Sequence, residues 1–329
     1  MTKYKLSGIG NAVVDIISHA DDSFLDLMGI EKGIMQLIER DRGENLYAAM
    51  SDRLQTPGGS VANTISGVGA LGLPTAFIGR VHDDALGQFY AKAMQESGTD
   101  FVNAPIPNGD LPTSRSMIFV TPDGERSMNT YLGISTELGP RDIPEKVATA
   151  SEMIFLEGYL FDKNQGKEAF RQASRMTRTA GGRAGIAISD PFCVNRHRND
   201  FIEMIKNDLD FVIGNEHEIK SLYETNDLEA AMSKTADMIK LMVCTRSGDG
   251  VTIMSNGERH DIPVNKITPV DATGAGDQFA AGFIYGMVTG RDLETCGKMG
   301  NLCAAEVISH IGPRPANDMR REFARARLE

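Results

Sequence analysis

The sequence predicts an α/β protein built on a doubly wound, mostly parallel sheet, with a second, smaller β-sheet beside it. Three observations carry that expectation. After residue 153, short apolar runs alternate with helical stretches, the pattern of a parallel sheet covered on both faces. Before residue 131, several strand-like runs follow one another with few helices between them. Residues 271–287, DATGAGDQFAAGFIYGM, join a turn of small residues to a helix, since Phe279, Phe283, Ile284 and Met287 recur at helical spacing.

Taken in order, residues 6–9 and 12–17 read as strands with Gly8 and Gly10 between them. In the second, Val13, Asp15 and Ile17 share a face, where Asp15 is the only charge. It is either a strand-end carboxylate satisfied by backbone N–H groups or an acceptor for the hydroxyls of a polyol. Residues 21–28 form a short helix capped by Asp21 or Asp22, 33–38 a strand and 42–50 a helix. In PGGSVAN, Gly58 and Gly59 allow close backbone approach to a ligand, and Ser60 caps a helix running to about residue 71. Asn63 falls in its first turn, as a second capping group or as a contact to a bound hydroxyl.

Residues 75–79 are strand-like, and 83–97 a helix with Leu86, Phe89, Ala93 and Met94 on one stripe. Residues 103–112 are a loop, and 114–120 and 126–130 a hairpin about Pro122-Asp123-Gly124. Strands at 153–156, 185–188, 211–213 and 241–244 then alternate with helices near 164–180, 200–206, 216–223 and 228–236. Residues 250–254 and 258–263 pair around Asn256-Gly257, and a last helix near 293–308 closes the chain. The expected organisation is a single domain over residues 1–329, its lid formed by insertions at roughly 11–50 and 110–131. Such a lid over the strand C-termini would exclude water from the site.

A formal charge of −11 argues against a nucleic-acid or membrane-surface partner, both of which want a basic face. The six histidines lack metal-ligand spacing, and the four cysteines (Cys193, Cys244, Cys296, Cys303) form no CxxC pair or secretory framework. No leader pattern or run of about 18 apolar residues is found, so a reducing cytoplasm is the expected compartment.

The turn at Gly274-Ala275-Gly276 presents unpaired N–H groups at a helix N-terminus, a ready site for an anion. Asp277 is the odd residue there, because a carboxylate beside a phosphate repels it unless it accepts a proton. Together they suggest phosphoryl transfer; the plainer alternative is a glycine turn with Asp277 capping the helix. Asp277-Gln278 after Gly276 excludes a Walker A loop, and Phe279 excludes the dinucleotide fingerprint. The Gly8-Ile9-Gly10 turn has Val13 where a third such glycine belongs.

Two stretches together resemble the ribokinase, or PfkB-type, carbohydrate kinase family. One is Pro57-Gly58-Gly59-Ser60 with Asn63, continuing to Gly79-Arg80-Val81-His82-Asp83-Asp84 and Gly87. The other, Asp271-Ala272-Thr273-Gly274-Ala275-Gly276-Asp277, resembles the family's DTxGAGD. His82 and Ala272 stand where glycine and threonine are commoner. The resemblance covers essentially the whole chain and implies a ribokinase-like fold.

It also implies Asp277 as the base and Gly274, Ala275 and Gly276 as the anion hole for the γ-phosphate. On the acceptor side it implies Asn11, Asp15, Gly58, Gly59 and Asn63. On the ATP side it implies Thr245, Ser247, Gly248, Gly250, Thr273, Asn301 and Asn215. Asn215 with Glu218 matches the family's NxxE element near magnesium, and is equally a capping box in all but its first residue. Asp271 and the turn at 308–312 resemble a monovalent-cation site, which would hold K+.

Gly10-Asn11-Ala12-Val13-Val14-Asp15-Ile16 and Phe24-Leu25 resemble the adenosine-kinase branch, in which Tyr159 and Phe192 would face a purine. Their alternative is simple wall packing. The implied partners are ATP with Mg2+ and a nucleoside, adenosine first and a fructose- or ribose-like sugar second, in a monomer or homodimer. A nucleoside or sugar sensor that kept the fold without catalysis is the contrasting class.

Overall fold

The structure, a computed structural model, describes residues 3–329. Its large sheet has nine strands. From one edge they run Glu258–Ile262, Val251–Ser255, Leu241–Thr245, Phe211–Asn215, Arg183–Ala187, Ser151–Glu157, Tyr4–Ile9, Thr75–Ile78 and Thr99–Phe101. Pairing is parallel throughout except for the hairpin strands Val251–Ser255 and Glu258–Ile262. The chain winds one way from Tyr4–Ile9 to Thr99–Phe101, then restarts at Ser151–Glu157 and winds the other way. The switch point, where open α/β sheets bind ligands, therefore lies beyond Ile9 and Glu157.

Two apolar clusters fill the two faces. Phe77, Phe155, Phe211 and Phe283 lie in one, and Phe161, Phe170 and Phe201 in the other. Gly8 is a close-packing position: a Cβ there would meet Ile65 Cγ1 at 2.4 Å, so helix Ser60–Ala70 lies directly on the sheet.

The second sheet has five strands in the order Met35–Leu37, Arg126–Tyr131, Ser114–Val120, Val13–His19, Leu54–Gly58. Its outer face carries Val14, Ile16, Met117 and Phe119, buried with Leu25 and Leu46 from helices Asp22–Met28 and Arg40–Ala49. Its inner face carries Asp15.

Four local details differ from the sequence expectation. Gly59, not Ser60, is the N-cap of helix Ser60–Ala70, because its φ of 100° is closed to other residues at little cost. The helix expected at 200–206 starts at Pro191, capped by Asp190 and kinked at His197, which interrupts the periodicity. Strands Leu54–Gly58 and Thr99–Phe101 are additional edge strands, one disguised by Pro57. Helix Leu293–Val307 is not the last: Met319–Arg325 follows, anchored by buried Met319 and Phe323.

Candidate active site

Asp277 is the third residue of helix Ala275–Val288, whose N-cap is Gly274 in the left-handed conformation. That placement leaves the N–H groups of Gly276 and Asp277 without a partner among the described residues, while Gln278 N–H already reaches Gly274 O at 2.8 Å. A Cβ on Gly276 would meet nothing within 4 Å, so open space lies before the turn. The combination of free donors, helix dipole and space suits an anion.

Asp277 is half-buried, and each carboxylate oxygen has one partner. Ser60 Oγ donates to Oδ1 at 2.7 Å and Asn63 Nδ2 to Oδ2 at 3.0 Å. Burial pushes its pKa up to about 6, against the pull of Ser60, Asn63 and Arg314. A carboxylate at that value is ionised at neutral pH and basic enough to receive a proton.

Asp15, on the small sheet within the field of Asp277, is 7 % exposed, and its carboxylate makes no hydrogen bond to the protein among the described residues. A strand-end carboxylate satisfied by the backbone would have such bonds; the acceptors of Asp15 are left open. Burial pushes it up to about 7, with Arg126 and Arg314 opposing and Asp277 adding to the rise. Gly58 makes this placement possible, since a Cβ there would lie 2.5 Å from Asp15 Oδ2. Gly59 runs equally close to Asn11, with the same atom 2.3 Å from Asn11 O.

Asn11 is tied into the protein around the switch point. It is 3 % exposed, donates from N and Nδ2 to Glu157 Oε1, and accepts from Ser135 Oγ. Glu157 was not singled out from sequence. It sits at the switch point, and its other oxygen takes the Val61 N–H at 3.0 Å, capping helix Ser60–Ala70 in place of a side chain at Gly59. Burial pushes Glu157 up to about 7.

Asn215 and Glu218 form a full capping box, with Asn215 N and Nδ2 donating to Glu218 and Asn215 Oδ1 accepting from His217 and Glu218 N–H. Both Glu218 oxygens are thereby engaged, and burial pushes the group up to about 7. Among the described residues, no group of three or more His, Cys, Asp or Glu is arranged to hold a metal.

Asp271 is likewise committed, which leaves little for the monovalent cation expected there. It accepts from Thr273 and Gly312 N–H and from Arg126 of the small sheet at 2.8 Å. Burial alone would raise it, but Thr273, Gly312 and Arg126 outweigh that and hold it below the usual carboxylate range. Arg126 itself is 9 % exposed, and its Nε and Nη2 are buried without a partner. Nothing in the sequence distinguishes it from a solvated hairpin arginine.

The remaining expected positions form the flanks. Thr245 ends a sheet strand, and Ser247, Gly248 and Gly250 form the turn after it. Gly250 (φ 87°) abuts Pro263, whose carbonyl accepts from Asn301 Nδ2 at 3.3 Å. Tyr159 is half-buried with its hydroxyl on Ser189 O at 3.3 Å, and Phe192 is 73 % exposed, so Phe192 is not core packing.

The four raised carboxylates make a stability prediction. Asp15, Glu157, Glu218 and Asp277 titrate near 4 when unfolded and near 6–7 when folded. Between those values the native state holds more protons, so their stabilisation is complete below about pH 4 and lost as pH rises through 6–7. Asp271, held low, titrates beneath that window. The thermal midpoint of the ligand-free protein is expected to be higher at pH 5 than at pH 8; the opposite order would refute this electrostatic picture.

Free backbone donors that suit an anion, beside a carboxylate able to take a proton, are what the transfer of a phosphoryl group to a hydroxyl requires. The class this arrangement points to is the kinases. Comparison with known families agrees: the pfkB family carbohydrate kinase pattern matches residues 27–319, and the chain belongs to that family. Among solved structures it is similar to an adenosine kinase from Sinorhizobium meliloti (44 % identity, 98 % of this chain and 99 % of that one, TM-score 0.91). It is also similar to a probable sugar kinase from Rhizobium etli (42 % identity, 100 % of both chains, TM-score 0.92). An uncharacterized sugar kinase of Archaeoglobus fulgidus is 29 % identical over 252 residues, 75 % of this chain and 96 % of that one. No helix among the described residues is long and apolar enough to cross a membrane.

Proposed function

We propose that the protein phosphorylates the primary hydroxyl of a nucleoside at the expense of ATP, converting adenosine to AMP. The supporting observation is the inner face of the small sheet. Strand register aligns Thr56, Asp15, Ser116, Thr130 and Leu37 in one cross-strand row. The next row is Leu54, Ile17, Ile118, Met128 and Met35. One row is polar around Asp15 and the other wholly apolar, with Leu54 60 % and Met35 43 % exposed. A nucleoside has the same division, a polyol ribose joined to a flat base. Exposed Phe192 and half-buried Tyr159 offer aromatic surface, and stacking is worth about 1–3 kcal/mol per base.

In this reaction Asp277 takes the proton of the attacking hydroxyl as its oxygen bonds to the terminal phosphorus. The bond from that phosphorus to the bridging oxygen breaks, and ADP leaves. The N–H groups of Gly276 and Asp277 hold the transferring oxygens, and the free Nε and Nη2 of Arg126 add charged donors. Because Arg126 belongs to the small sheet, its bond to Asp271 couples the lid to the phosphate turn. Magnesium accompanying the nucleotide would screen the phosphate charge, and Glu218 of the NxxE element is the residue the family resemblance puts near it, although both its oxygens are bonded to Asn215 here.

ADP release measured over a panel of nucleosides and sugars tests the proposal. Adenosine is expected to give the highest kcat/KM. A fructose- or ribose-like sugar in first place would favour the second reading, which the likeness to sugar kinases supports. Ligand binding without ADP release would mean a sensor.

A further inference from the structure

The turn after helix Leu293–Val307 places Arg314 beside the proposed base. Its Nε donates to Asn63 Oδ1 at 3.3 Å, and its Nη2 lies 3.6 Å from Met94 Sδ. Asn63 in turn donates from Nδ2 to Asp277. A guanidinium on one side and a carboxylate on the other admit only this orientation of the amide, since the flipped one would set oxygen against carboxylate and N–H against N–H. The same turn is fastened to the phosphate loop at two more points. Gly312 N–H donates to Asp271 at 3.0 Å, and Pro313 O accepts from Gln278 Nε2 at 3.0 Å.

The charges around Asp277 are unbalanced. Asp15 faces it from the small sheet, Glu157 and Tyr159 from strand Ser151–Glu157 and the turn after it, and Glu218 from the helix after Asn215. Arg314 is the cation that faces it, and it faces Asp15 as well. Arg126 bears on Asp15 but is bonded to Asp271. Burial pulls Arg314 below the usual guanidinium range, with Tyr90, Asp15 and Asp277 opposing; an arginine starts high enough to stay charged there, and its Nε reaches the Asn63 oxygen.

We propose that Arg314 is a positioning residue for the base, fixing Asn63 so that it holds Asp277 and supplying the charge that keeps Asp277 ionised opposite Asp15. The role presupposes the phosphotransfer reaction proposed above. It acts through Asn63 and through the field, without touching the reacting atoms.

The test is the pH profile of kcat, by ADP release at saturating ATP and acceptor, for wild type, Arg314→Gln and Arg314→Lys. A base that must be ionised gives a rate that falls on the acid side. Loss of the opposite charge is expected to move that acid limb of Arg314→Gln upward by about one pH unit. Its loss of rate is therefore larger at pH 6 than at pH 8. Arg314→Lys keeps the limb near its wild-type position but turns over more slowly, because an ammonium lacks the fork. A merely structural role lowers kcat by one factor at every pH, and that result, with the limb unmoved, overturns the inference. Should Arg314→Gln not fold, Arg314→Ala with added guanidinium serves: recovery of the limb is expected, and indifference to guanidinium overturns it. A wild type that releases no ADP with any acceptor would overturn the parent proposal too, whereas an active wild type with an unmoved limb removes only the role of Arg314.

Discussion

Asp277→Asn is expected to lower kcat by about 10²–10⁴-fold while leaving KM for both substrates nearly unchanged. The structure explains why this substitution is clean. The asparagine oxygen can accept from Asn63 Nδ2, and its new N–H can donate to Ser60 Oγ, because a hydroxyl serves as donor or acceptor. No partner is stranded, so the turn and its free N–H groups stay in place. Only the ability to take a proton is lost, and that ability matters in the transition state rather than in the bound state. A second consequence separates this account from simple damage. Burial raises Asp277 to about 6, so above that pH its charge opposes folding. The variant should therefore melt at or above the wild-type temperature at pH 8. A variant that melts lower and loses rate in proportion would point to a structural Asp277; near-wild-type turnover would remove it from the chemistry.

What the sequence disclosed about this site was what is local in the chain. The small-residue turn, the helical spacing after it and the carboxylate between them all lie within residues 271–287, and the hairpin at Pro122-Asp123-Gly124 is as self-contained. Glu157, Arg126 and Arg314 left no such mark. Each is a charge at the end of a strand or in a turn, and it acquires meaning only when folding places it against a partner 96 to 251 positions away. Asn11 shows the opposite case: its neighbours in sequence pointed to a ligand, and the structure adds bonds from its amide to Glu157 and Ser135 that the sequence did not suggest. Ser60 looked like a cap because it precedes an apolar run. Its hydroxyl instead goes to Asp277, and the capping is done by a carboxylate from another strand. For Asp15 the sequence left two possibilities open, and what bears on them is a property it could not contain, the lack of protein hydrogen bonds to a buried carboxylate.

Gly274→Ala and Gly276→Ala are expected to part company, though they differ by two positions in one turn. Gly274 has a φ of 79°, where an added Cβ costs about 1–2 kcal/mol, and that Cβ would also lie 2.7 Å from both Cα and O of Pro313. Neither obstacle is the end of a flexible side chain, so the backbone must move. Pro313 O holds Gln278, and the next residue, Arg314, holds Asn63, so the shift spreads to the base. An ångström of misplacement costs about 10²-fold in rate, so Gly274→Ala should lose both melting temperature and kcat. Gly276 sits inside the first turn of the helix, and a Cβ there meets nothing within 4 Å. Alanine at that position should stabilise the fold by about 0.5–1 kcal/mol, since glycine is the poorer helix residue. Its methyl nevertheless stands in the open space before the free N–H groups, so kcat/KM for ATP should fall while melting temperature rises. An unchanged kcat/KM for ATP in Gly276→Ala would mean that the space before Gly276 is not where the phosphate goes.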